Sequence, residues 1–529
     1  MQCSAETLRG CRDFESLTSG SPANREKMMT TEHYDLIVVG GGPGGSTVAT
    51  LVAMQGHRVL LLEKEKFPRH QIGESLLPST IHGIGVVLGV DEEIKKANFM
   101  IKYGGMFRWG RNPEPWTFQF SLSPALKSDA AYAYQVERSK FDKILLDNAR
   151  RKGVDVREEH TVSDVLEDED RVTGVRFRDV DGNDHTATAQ YVVVAAGNTS
   201  HFHKKVGGER VYSDFFRNIA LYCYYDGGYR MPSPQEGLAL SAAFEDGWFW
   251  YIPLSMSLVS VGAVIATEKA DQLQELGHEA AMEKFIQACP IIKEWLRDAK
   301  RVTEGEYGRF RVRKDYSYCG SKFWRPGMVL VGDAACFVDP VFSSGVHLAT
   351  YGGLLAARSI NTSLLGNGVT EQRAFEEFEA RYRREFGVFY QFLHAFYDVQ
   401  QGEESYFWEA RKVLNTDQTE VQAFVSLVGG VSSAGEPMFA PQEEFSKETE
   451  AVSEQLGDAI KSAQEGAHSA DFFQRSKFMG AVWQESRALR AQALGKTRRV
   501  ASKPIIKGGL IPSVDGRTWE HPEEPATVN

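Results

Sequence analysis

The sequence predicts an α/β protein with a parallel sheet, a second antiparallel sheet and a C-terminal helical region, and three patterns support this. Residues 34–65 read as an apolar strand, a glycine-rich turn, a helix and a second apolar strand. Residues 201–302 contain alternating segments rich in Tyr, Phe and Trp, as antiparallel strands do. After residue 360, large aromatic residues recur at steps of three and four, which indicates an amphipathic helix. The 529 residues suffice for about three such parts, at roughly 150 residues each.

The first pattern, YDLIVVGGGPGGSTVATLVAMQGHRVLLLEKE, contains a GxGxxG turn at Gly40, Gly42 and Gly45. The first glycine permits a tight turn, the second lets a pyrophosphate approach the backbone, and the third lets helix and strand pack closely. Glu63 ends the second strand, where an acid accepts hydrogen bonds from a ribose. We therefore predict a Rossmann-type dinucleotide site rather than a merely structural turn. Its expected contacts also include Pro43, Ser46 and Lys64.

The domains predicted from these patterns are discontinuous in sequence. The runs YVVVAAG (191–197) and GMVLVGDAA (327–335) resemble later strands of the same parallel sheet. The predicted parts are a disordered tail over 1–30, a nucleotide-binding domain over 31–112, 131–200 and 303–360, a substrate-side β-sheet domain over 113–130 and 201–302, and a helical region over 361–529 with a mobile linker around 429–470.

The composition argues against several classes of function. A net charge of −11 and a pI near 5.7 disfavour nucleic-acid binding, which needs a basic surface. The six cysteines form no CxxC pair, and His201 and His203 have no third ligand in view, so we expect no metal site. The sequence shows neither a run of about 18 apolar residues nor a secretory signal, so we expect no membrane span and a cytoplasmic location.

Three further motifs indicate which dinucleotide is bound. Gly332 and Asp333 lie at the end of an apolar run in VLVGDAACFVDP, Arg138 lies in YQVERSKFDKILLDNA, and IGES spans residues 72–75. Together with GxGxxG, these motifs resemble the FAD-binding superfamily that includes the aromatic hydroxylases. The resemblance implies FAD, although Arg138 could instead form only a surface salt bridge. The contacts that it implies, besides Arg138, are Ile72, Gly73, Glu74, Ser75, Gly332, Asp333, Pro340, Gly345 and Val346.

The stretch DGWFWYIPL places two tryptophans two positions apart. Alternate residues of a strand share a face. Trp248, Trp250 and Ile252 are therefore predicted to form one wall, while Phe249 and Tyr251 point the other way.

The WxWxIP motif in this stretch and FMIKYGGMFRWG, which contains Lys102, resemble the flavin-dependent halogenases. Within that family the chain is most similar to the chondrochloren type of tyrosyl halogenase. The resemblance implies that reduced FAD (FADH2) and O2 oxidise chloride or bromide, and that hypochlorous acid passes to Lys102. Burial would favour the neutral amine of this lysine, whereas an exposed lysine at a helix end is the alternative.

The same resemblance assigns roles to the tryptophan wall and to a halide site. Trp248 and Trp250 would keep the substrate away from the flavin, and the alternative is that they are simple core residues. The backbone N–H groups of Ser344 and Gly345 would bind the halide.

The resemblance also implies a substrate: a phenolic, tyrosyl-type group on a peptidyl carrier protein in natural-product or antibiotic biosynthesis. A separate flavin reductase would supply FADH2. Phe342 stands where tryptophan-acting halogenases carry a glutamate, so the acceptor of the ring proton is left open. Arg381, Arg383 and Arg384 are candidates to meet an acidic carrier, and a solvated helix face is the alternative.

Two other functions remain as alternatives. A flavin monooxygenase that hydroxylates an aromatic ring shares the fold and the FAD motifs, but Lys102 and WxWxIP argue against it. A non-catalytic escort protein of the same fold would not need an intact GD motif or halide turn.

Overall fold

The computed structural model describes residues 32–110, 114–126, 130–398, 403–414, 416–431, 436 and 504–522. The predicted tail over residues 1–30 lies outside this part of the chain, and so does most of the predicted linker over 429–470. The architecture is mixed α/β, as predicted, with one mainly parallel sheet, one mainly antiparallel sheet and a set of C-terminal helices.

The strands and helices of the described residues follow in chain order. The strands are β1 (Glu32–Val39), β2 (Val59–Leu62), β3 (Met100–Lys102), β4 (Gly104–Arg108), β5 (Trp116–Gln119), β6 (Ala133–Gln135), β7 (Asp155–Arg157), β8 (Thr161–Asp168), β9 (Arg171–Arg178), β10 (Asp184–Val194), β11 (Arg210–Asp226), β12 (Ala239–Phe244), β13 (Gly247–Pro253), β14 (Leu258–Ala266), β15 (Lys300–Arg301), β16 (Arg311–Gly320), β17 (Trp324–Arg325), β18 (Met328–Leu330), β19 (Cys336–Phe337), β20 (Ile511–Pro512) and β21 (Trp519–Glu520). The helices are α1 (Pro43–Ala53), α2 (Val86–Leu88), α3 (Asp91–Lys96), α4 (Arg138–Arg151), α5 (Asp271–Leu276), α6 (His278–Ala288), α7 (Pro290–Trp295), α8 (Ser344–Leu365), α9 (Glu371–Phe396), α10 (Glu403–Leu414) and α11 (Glu420–Val428).

The first sheet has the strand order β17–β18–β10–β1–β2–β7, and β8 and β9 extend it from β10. Strand β1 runs parallel to both β10 and β2. Leu36, Ile37 and Val38 are completely buried, as a strand covered on both faces requires. Helix α1 packs against α4 and α8. This is the predicted βαβ arrangement, in which the carboxyl ends of β1, β10 and β18 meet at one edge.

The second sheet has the order β19–β16–β11–β14–β13–β12–β4–β5, with β15 paired to β11. Its pairs are antiparallel except for β12 and β4. The sequence assigned residues 104–108 and 311–320 to the nucleotide-binding domain, but they are β4 and β16 of this second sheet. Local pattern does not reveal where the chain crosses between sheets, so the domain boundaries remain a proposal.

The helical region begins with α8 and α9, which pack on each other. Helix α9 has the predicted aromatic face, because Phe375, Phe378 and Phe389 on it are buried. The prediction of a solvated or carrier-facing arginine is wrong for Arg381, which is buried and donates to Glu377. The residues 504–522 cover this side of the helix.

The segment 504–522 is fixed to α8 by polar groups. The Trp519 indole donates to Ser359 Oγ at 2.9 Å, and Arg358 Nε donates to the Gly516 carbonyl at 2.6 Å. Arg358 also forms a fully buried ion pair with Glu436. None of the helices in the described ranges is both long and apolar enough to cross a membrane.

Candidate active site

A cavity of about 700 Å³ lies where the glycine turn, the tryptophan strand and the start of α8 meet. Most of the residues predicted from sequence line it; Gly45, Ser46, Lys102 and Ser344 do not. The predicted residues in its wall are Gly40, Gly42, Pro43, Glu63, Lys64, Ile72, Gly73, Glu74, Ser75, Arg138, Trp248, Trp250, Gly332, Asp333, Pro340, Gly345 and Val346.

The glycine turn has the geometry that its three positions require. Gly40 has a φ of +105°, and a Cβ there would lie 2.6 Å from the Ala195 carbonyl oxygen. A Cβ on Gly45 would lie 1.9 Å from the Gly40 oxygen, so this glycine allows the helix–strand contact. A Cβ on Gly42 would meet its nearest neighbour, Arg69 Nη2, only at 3.7 Å. Gly42 therefore leaves open space on the cavity side, as a phosphate approach demands.

Polar side chains hold this turn in place. Glu63 accepts from the Gly41 N–H at 2.6 Å with one carboxylate oxygen and from the Glu65 N–H at 2.8 Å with the other. Ser46 Oγ donates to the Gly41 carbonyl at 2.9 Å. Ser46 thus braces the turn from behind, while Glu63 is buried at the cavity edge. Helix α1 begins at Pro43 beside this space, and a helix N-terminus attracts phosphate.

The loop over residues 72–75 is held by Arg138. This residue is only 6% exposed, so the surface salt-bridge alternative is wrong. Its guanidinium pairs with Asp142 one turn along α4 and donates to the Ile72 carbonyl at 2.6 Å. Arg138 therefore ties the loop to α4 beside the cavity.

The GD motif lies in a single 3₁₀ turn after β18 rather than at the start of a long helix. Gly332 has a φ of +64°, a conformation that favours glycine. Its N–H donates to the Tyr382 hydroxyl at 3.1 Å. The Asp333 carboxylate lies 3.6 Å from Arg313 at the cavity wall.

The predicted halide turn is the first turn of α8, a helix of 22 residues. Ser343 precedes it with a φ of +59°, and Ser344 and Gly345 are its first two residues. The first N–H groups of a helix have no acceptor within that helix, and they carry the positive end of its dipole. Because Gly345 lines the cavity, this turn can present N–H donors to an anion.

The tryptophan strand alternates as predicted. Trp248, Trp250 and Ile252 line the cavity, while Phe249 and Tyr251 belong to a second core on the opposite face of the sheet. The Trp248 indole donates to the Tyr397 hydroxyl at 2.9 Å, and the Trp250 indole faces Ser260 Oγ at 3.2 Å. Hydrogen bonds therefore hold both rings of the wall.

Lys102 ends β3 behind the cavity wall and is 5% exposed. Its amine donates to Ser75 Oγ at 2.8 Å and to the Leu76 carbonyl at 3.1 Å, and it lies 5.5 Å from the centre of the Phe120 ring. Burial lowers the pKa of Lys102 to about 7. The exposed-lysine alternative is therefore wrong. Ser75 lies between this amine and the cavity, because it contacts the amine and also forms part of the cavity wall.

Phe342 is buried in an aromatic cluster. Its ring stacks on Phe392 at 5.1 Å between centroids and meets Phe396 edge-on at 4.7 Å. Just before it, burial raises the pKa of Asp339 to about 7. Asp339 accepts from the Tyr397 hydroxyl at 2.8 Å.

Three further residues of the site were not predicted from the sequence: His70, Tyr224 and Arg313. His70 and Arg313 line the cavity, and the Tyr224 hydroxyl donates to Glu74 Oε1 at 2.8 Å. His70 could have been found from the sequence, because it lies only four positions before Glu74. Tyr224 and Arg313 lie on strands whose alternating pattern does not reveal which face meets the cavity.

The residues present fit a dinucleotide of the FAD type. The open side of Gly42 and the start of α1 suit a pyrophosphate. The buried Glu74 Oε2 has no hydrogen bond of ordinary length among the described residues, although Glu74 lines the cavity. Such an atom suits a ligand that supplies a polar contact.

Comparisons with known proteins identify the family to which the chain is similar. The family model described as tryptophan halogenase matches residues 35–129 and 122–465. A tryptophan 2-halogenase from Chondromyces crocatus is 33% identical over 438 residues, which make up 80% of this chain and 80% of that protein. The solved structure of CndH, a myxobacterial chondrochloren halogenase of the FAD-dependent halogenases, is 53% identical; the match has a TM-score of 0.70 and covers 92% of this chain and 100% of that one. CmlS, a flavin-dependent halogenase, is 35% identical with a TM-score of 0.64, over 72% of this chain and 68% of its own.

Proposed function

Because this chain belongs to the tryptophan halogenase family and is a flavin-dependent aromatic halogenase, we propose that it chlorinates or brominates a phenolic ring with Lys102 as the halogen-transferring residue. The observation that carries this proposal is the buried, hydrogen-bonded amine of Lys102 one side chain away from the cavity. The ring is a tyrosyl-type group presented by a peptidyl carrier protein.

The residues of the cavity wall would hold FAD. The glycine turn and the N-terminus of α1 would bind its pyrophosphate, and Glu63 would face the ribose. The loop 72–75, fixed by Arg138, would lie along the flavin. When bound in its reduced form, FAD supplies with O2 the oxidising power that turns the halide into hypohalous acid.

The start of α8 would hold the halide. The N–H groups of Ser344 and Gly345 open this helix, and a helix start favours an anion. This assignment places the halide next to the cavity wall, because Gly345 lines it.

Lys102 would receive the hypohalous acid through the loop that separates it from the cavity. Ser75 contacts the amine and lies in the wall, so a single residue stands between the amine and the cavity. A pKa near 7 leaves much of the amine neutral at neutral pH. A neutral amine can hydrogen-bond hypochlorous acid or form a chloramine, and either one orients electrophilic chlorine.

Trp248 and Trp250 would act by exclusion. Both rings line the cavity and are held by hydrogen bonds. A wall of two indoles denies an aromatic substrate the approach to the flavin that direct hydroxylation requires. The substrate is then left on the Lys102 side.

A phenol suits this site because its oxygen donates electron density to the ortho carbon, which the electrophilic halogen attacks. Phe342 occurs in place of the glutamate, so no carboxylate stands at that position to accept the ring proton. A separate flavin reductase would supply FADH2, and the product would enter a natural-product pathway.

The test is mass spectrometry of a tyrosyl-loaded carrier protein after incubation with enzyme, FAD, a flavin reductase, NADH, O2 and either chloride or bromide. We expect a mass and isotope pattern that follows the halide. Lys102→Met should abolish it while FAD still binds, and Lys96→Ala, at an exposed lysine of α3, should leave it unchanged.

Other outcomes of the same experiment contradict the proposal. Gain of an oxygen atom regardless of halide would make the protein a hydroxylase. Halogenation of free tyrosine in a parallel incubation, without halogenation of the loaded carrier, would remove the carrier protein from the proposal. Halogenation that persists in Lys102→Met would remove Lys102 from it.

A further inference from the structure

Glu74 occupies a position in the cavity wall that the proposed chemistry does not use. It stands between Gly73 and Ser75 in the loop fixed by Arg138, and its side chain is 1% exposed. It lines the cavity together with Trp248 and Trp250. A buried acid in the wall of a cofactor cavity needs a reason, because burial penalises its charged form.

A chain of hydrogen bonds leads from Glu74 through Tyr224 to His70. The Tyr224 hydroxyl donates to Glu74 Oε1 at 2.8 Å, and His70 Nε2 lies 2.8 Å from the same hydroxyl. A phenol has one hydrogen, so His70 must donate through Nε2–H. His70 is partly buried and lines the same cavity as Glu74.

The ionisation of each member supports this direction. Burial, aided by Arg311, Arg138 and Arg69, lowers the pKa of His70 to about 4, so the imidazole is neutral at pH 7. Burial raises the pKa of Tyr224 well above its usual value, and Glu74 adds to this effect. The phenol therefore keeps the proton that it shares with Glu74.

The second carboxyl oxygen of Glu74 marks where its proton would sit. Oε1 accepts from Tyr224, whereas Oε2 is buried with no hydrogen bond of ordinary length among the described residues. The Ser260 hydroxyl, which accepts from Trp250, is close enough to favour the carboxylate. Burial raises the pKa of Glu74 to about 7. The charged and titratable groups that face this carboxyl or its chain are Arg69, Arg138, Arg311, Glu137, Tyr222, Tyr224, His70 and Tyr307.

We propose that Glu74 is a neutral acid whose Oε2 hydroxyl donates a hydrogen bond to the flavin ring, and that Tyr224, itself held by His70, fixes the carboxyl through Oε1 so that Oε2 points into the cavity. Like the proposed function, this inference requires FAD in the cavity. A neutral donor stabilises the negative charge of a singly deprotonated reduced flavin, whereas an ionised carboxylate repels it. Glu74 thereby favours binding of the reduced cofactor over the oxidised one.

The proposal predicts a specific pH dependence. Reduced FAD should raise the pKa of Glu74, because it favours the neutral donor. Between the pKa with oxidised FAD and the higher pKa with reduced FAD, only the reduced complex keeps the proton. The ratio of the two dissociation constants, oxidised over reduced, should therefore fall by up to tenfold per pH unit in this interval.

The experiment measures both dissociation constants anaerobically from pH 5 to pH 9, without halide or aromatic substrate. Glu74→Gln is the matched variant, since its amide can donate a hydrogen bond but does not titrate. The flavin's own ionisation is common to both proteins, so the difference between them isolates Glu74. We expect the wild-type ratio to fall above about pH 7 relative to Glu74→Gln.

Tyr224→Phe is a second variant that tests the same pH dependence if Glu74→Gln does not fold. Losing the Tyr224 donor removes a contact that favours the carboxylate, so the fall should move to higher pH. Tyr307→Phe is the control, because the Tyr307 ring lies 4.5 Å from Tyr224 but its hydroxyl donates to Glu137.

Two results would overturn the proposal. One is a wild-type ratio that runs parallel to that of Glu74→Gln over the whole pH range. The other is a Tyr224→Phe curve that coincides with the wild type, which would show that Tyr224 does not affect the ionisation of Glu74. Because the measurement involves no halogenation, its outcome is independent of whether the proposed function fails.

Discussion

The indole N–H of Trp248 donates a hydrogen bond of 2.9 Å to the hydroxyl of Tyr397, which donates one of 2.8 Å to the buried carboxyl of Asp339. The strand of the tryptophan wall is thus linked to the end of α9 and to the turn before α8. One hydroxyl group joins three separate parts of the chain. This link gives the first prediction.

Tyr397→Phe removes a donor to Asp339 and an acceptor of Trp248, so we expect a loss of about 1–3 kcal/mol of stability. Burial raises the pKa of Asp339 to about 7, while Tyr397 opposes that rise. A raised folded pKa makes stability fall as pH increases through it. The hydrogen bond from Tyr397 is stronger to an ionised carboxyl than to a neutral one. The stability lost in Tyr397→Phe should therefore be larger at pH 8 than at pH 5.

Urea unfolding at both pH values measures this effect. Tyr390→Phe is the control, because its hydroxyl is hydrogen-bonded to Ser213 rather than to a carboxyl. The stability lost in Tyr390→Phe should not depend on pH. If Tyr397→Phe lowers the free energy of unfolding equally at pH 5 and pH 8, the Tyr397 hydroxyl does not stabilise the ionised carboxyl of Asp339.

The second prediction concerns the protonation of Lys102. Burial lowers its pKa to about 7, so the neutral fraction falls by about tenfold per pH unit below that value. If the neutral amine transfers the halogen, the amount of halogenated product per FADH2 oxidised should rise from pH 6 to pH 8 and then level off. Product analysis in parallel with FADH2 oxidation measures this ratio.

Lys102→Arg is the control for that experiment, since a guanidinium stays charged throughout this pH range. We expect this variant to oxidise FADH2 without halogenating at any pH. A yield that does not change with pH in the wild type would show that the neutral amine is not required.

The third prediction separates two glycines of the turn. In Gly45→Ala the new Cβ would lie 1.9 Å from the Gly40 oxygen, so the helix–strand contact must open and the thermal unfolding temperature should fall by several degrees. In Gly42→Ala the Cβ has room but projects on the cavity side. This variant should fold normally and bind FAD at least about tenfold more weakly, which flavin fluorescence measures. Similar effects of the two substitutions on unfolding would contradict this distinction.

The fourth prediction tests whether a carboxylate can simply be restored at Phe342. This side chain is 4% exposed and packs between Phe392 and Phe396. Phe342→Glu should cost at least about 3 kcal/mol at pH 8, from lost packing and a buried charge. The cost should be smaller at pH 5, where the acid is closer to neutral.

Phe342→Leu is the matched comparison for that substitution. It keeps an apolar side chain and should cost about 1 kcal/mol at both pH values. Denaturant unfolding of both variants provides the measurement. A stable Phe342→Glu at pH 8 would mean that the aromatic cluster can open to water.

The cofactor side of the site was predictable because its signals are local. The GxGxxG turn specifies its own backbone, and the period of two in β13 fixes which face Trp248 and Trp250 share. The aromatic face of α9 follows in the same way from its period. These patterns need no knowledge of distant residues.

Contacts between distant positions were not predictable from spacing. Lys102 and Ser75 are 27 positions apart, and His70 and Tyr224 are 154 apart. The tertiary fold alone brings them together. Arg381 was predicted to be exposed because it lies in an arginine-rich turn of a helix. It is buried because it donates to the carbonyl of Leu510, a residue that is distant in sequence.

The attachment of residues 504–522 to α8 has a consequence for the order in which the protein is made. Trp519 and Ser359 are separated by 160 positions, so helix α8 emerges from the ribosome long before its partner segment does. Until then Arg358 lacks its contact with Gly516, and the nascent chain must hold a polar, unfinished surface. Contacts of such sequence separation slow folding. Completion of the α8 surface is therefore a late event, because it must wait for the synthesis of residues 504–522.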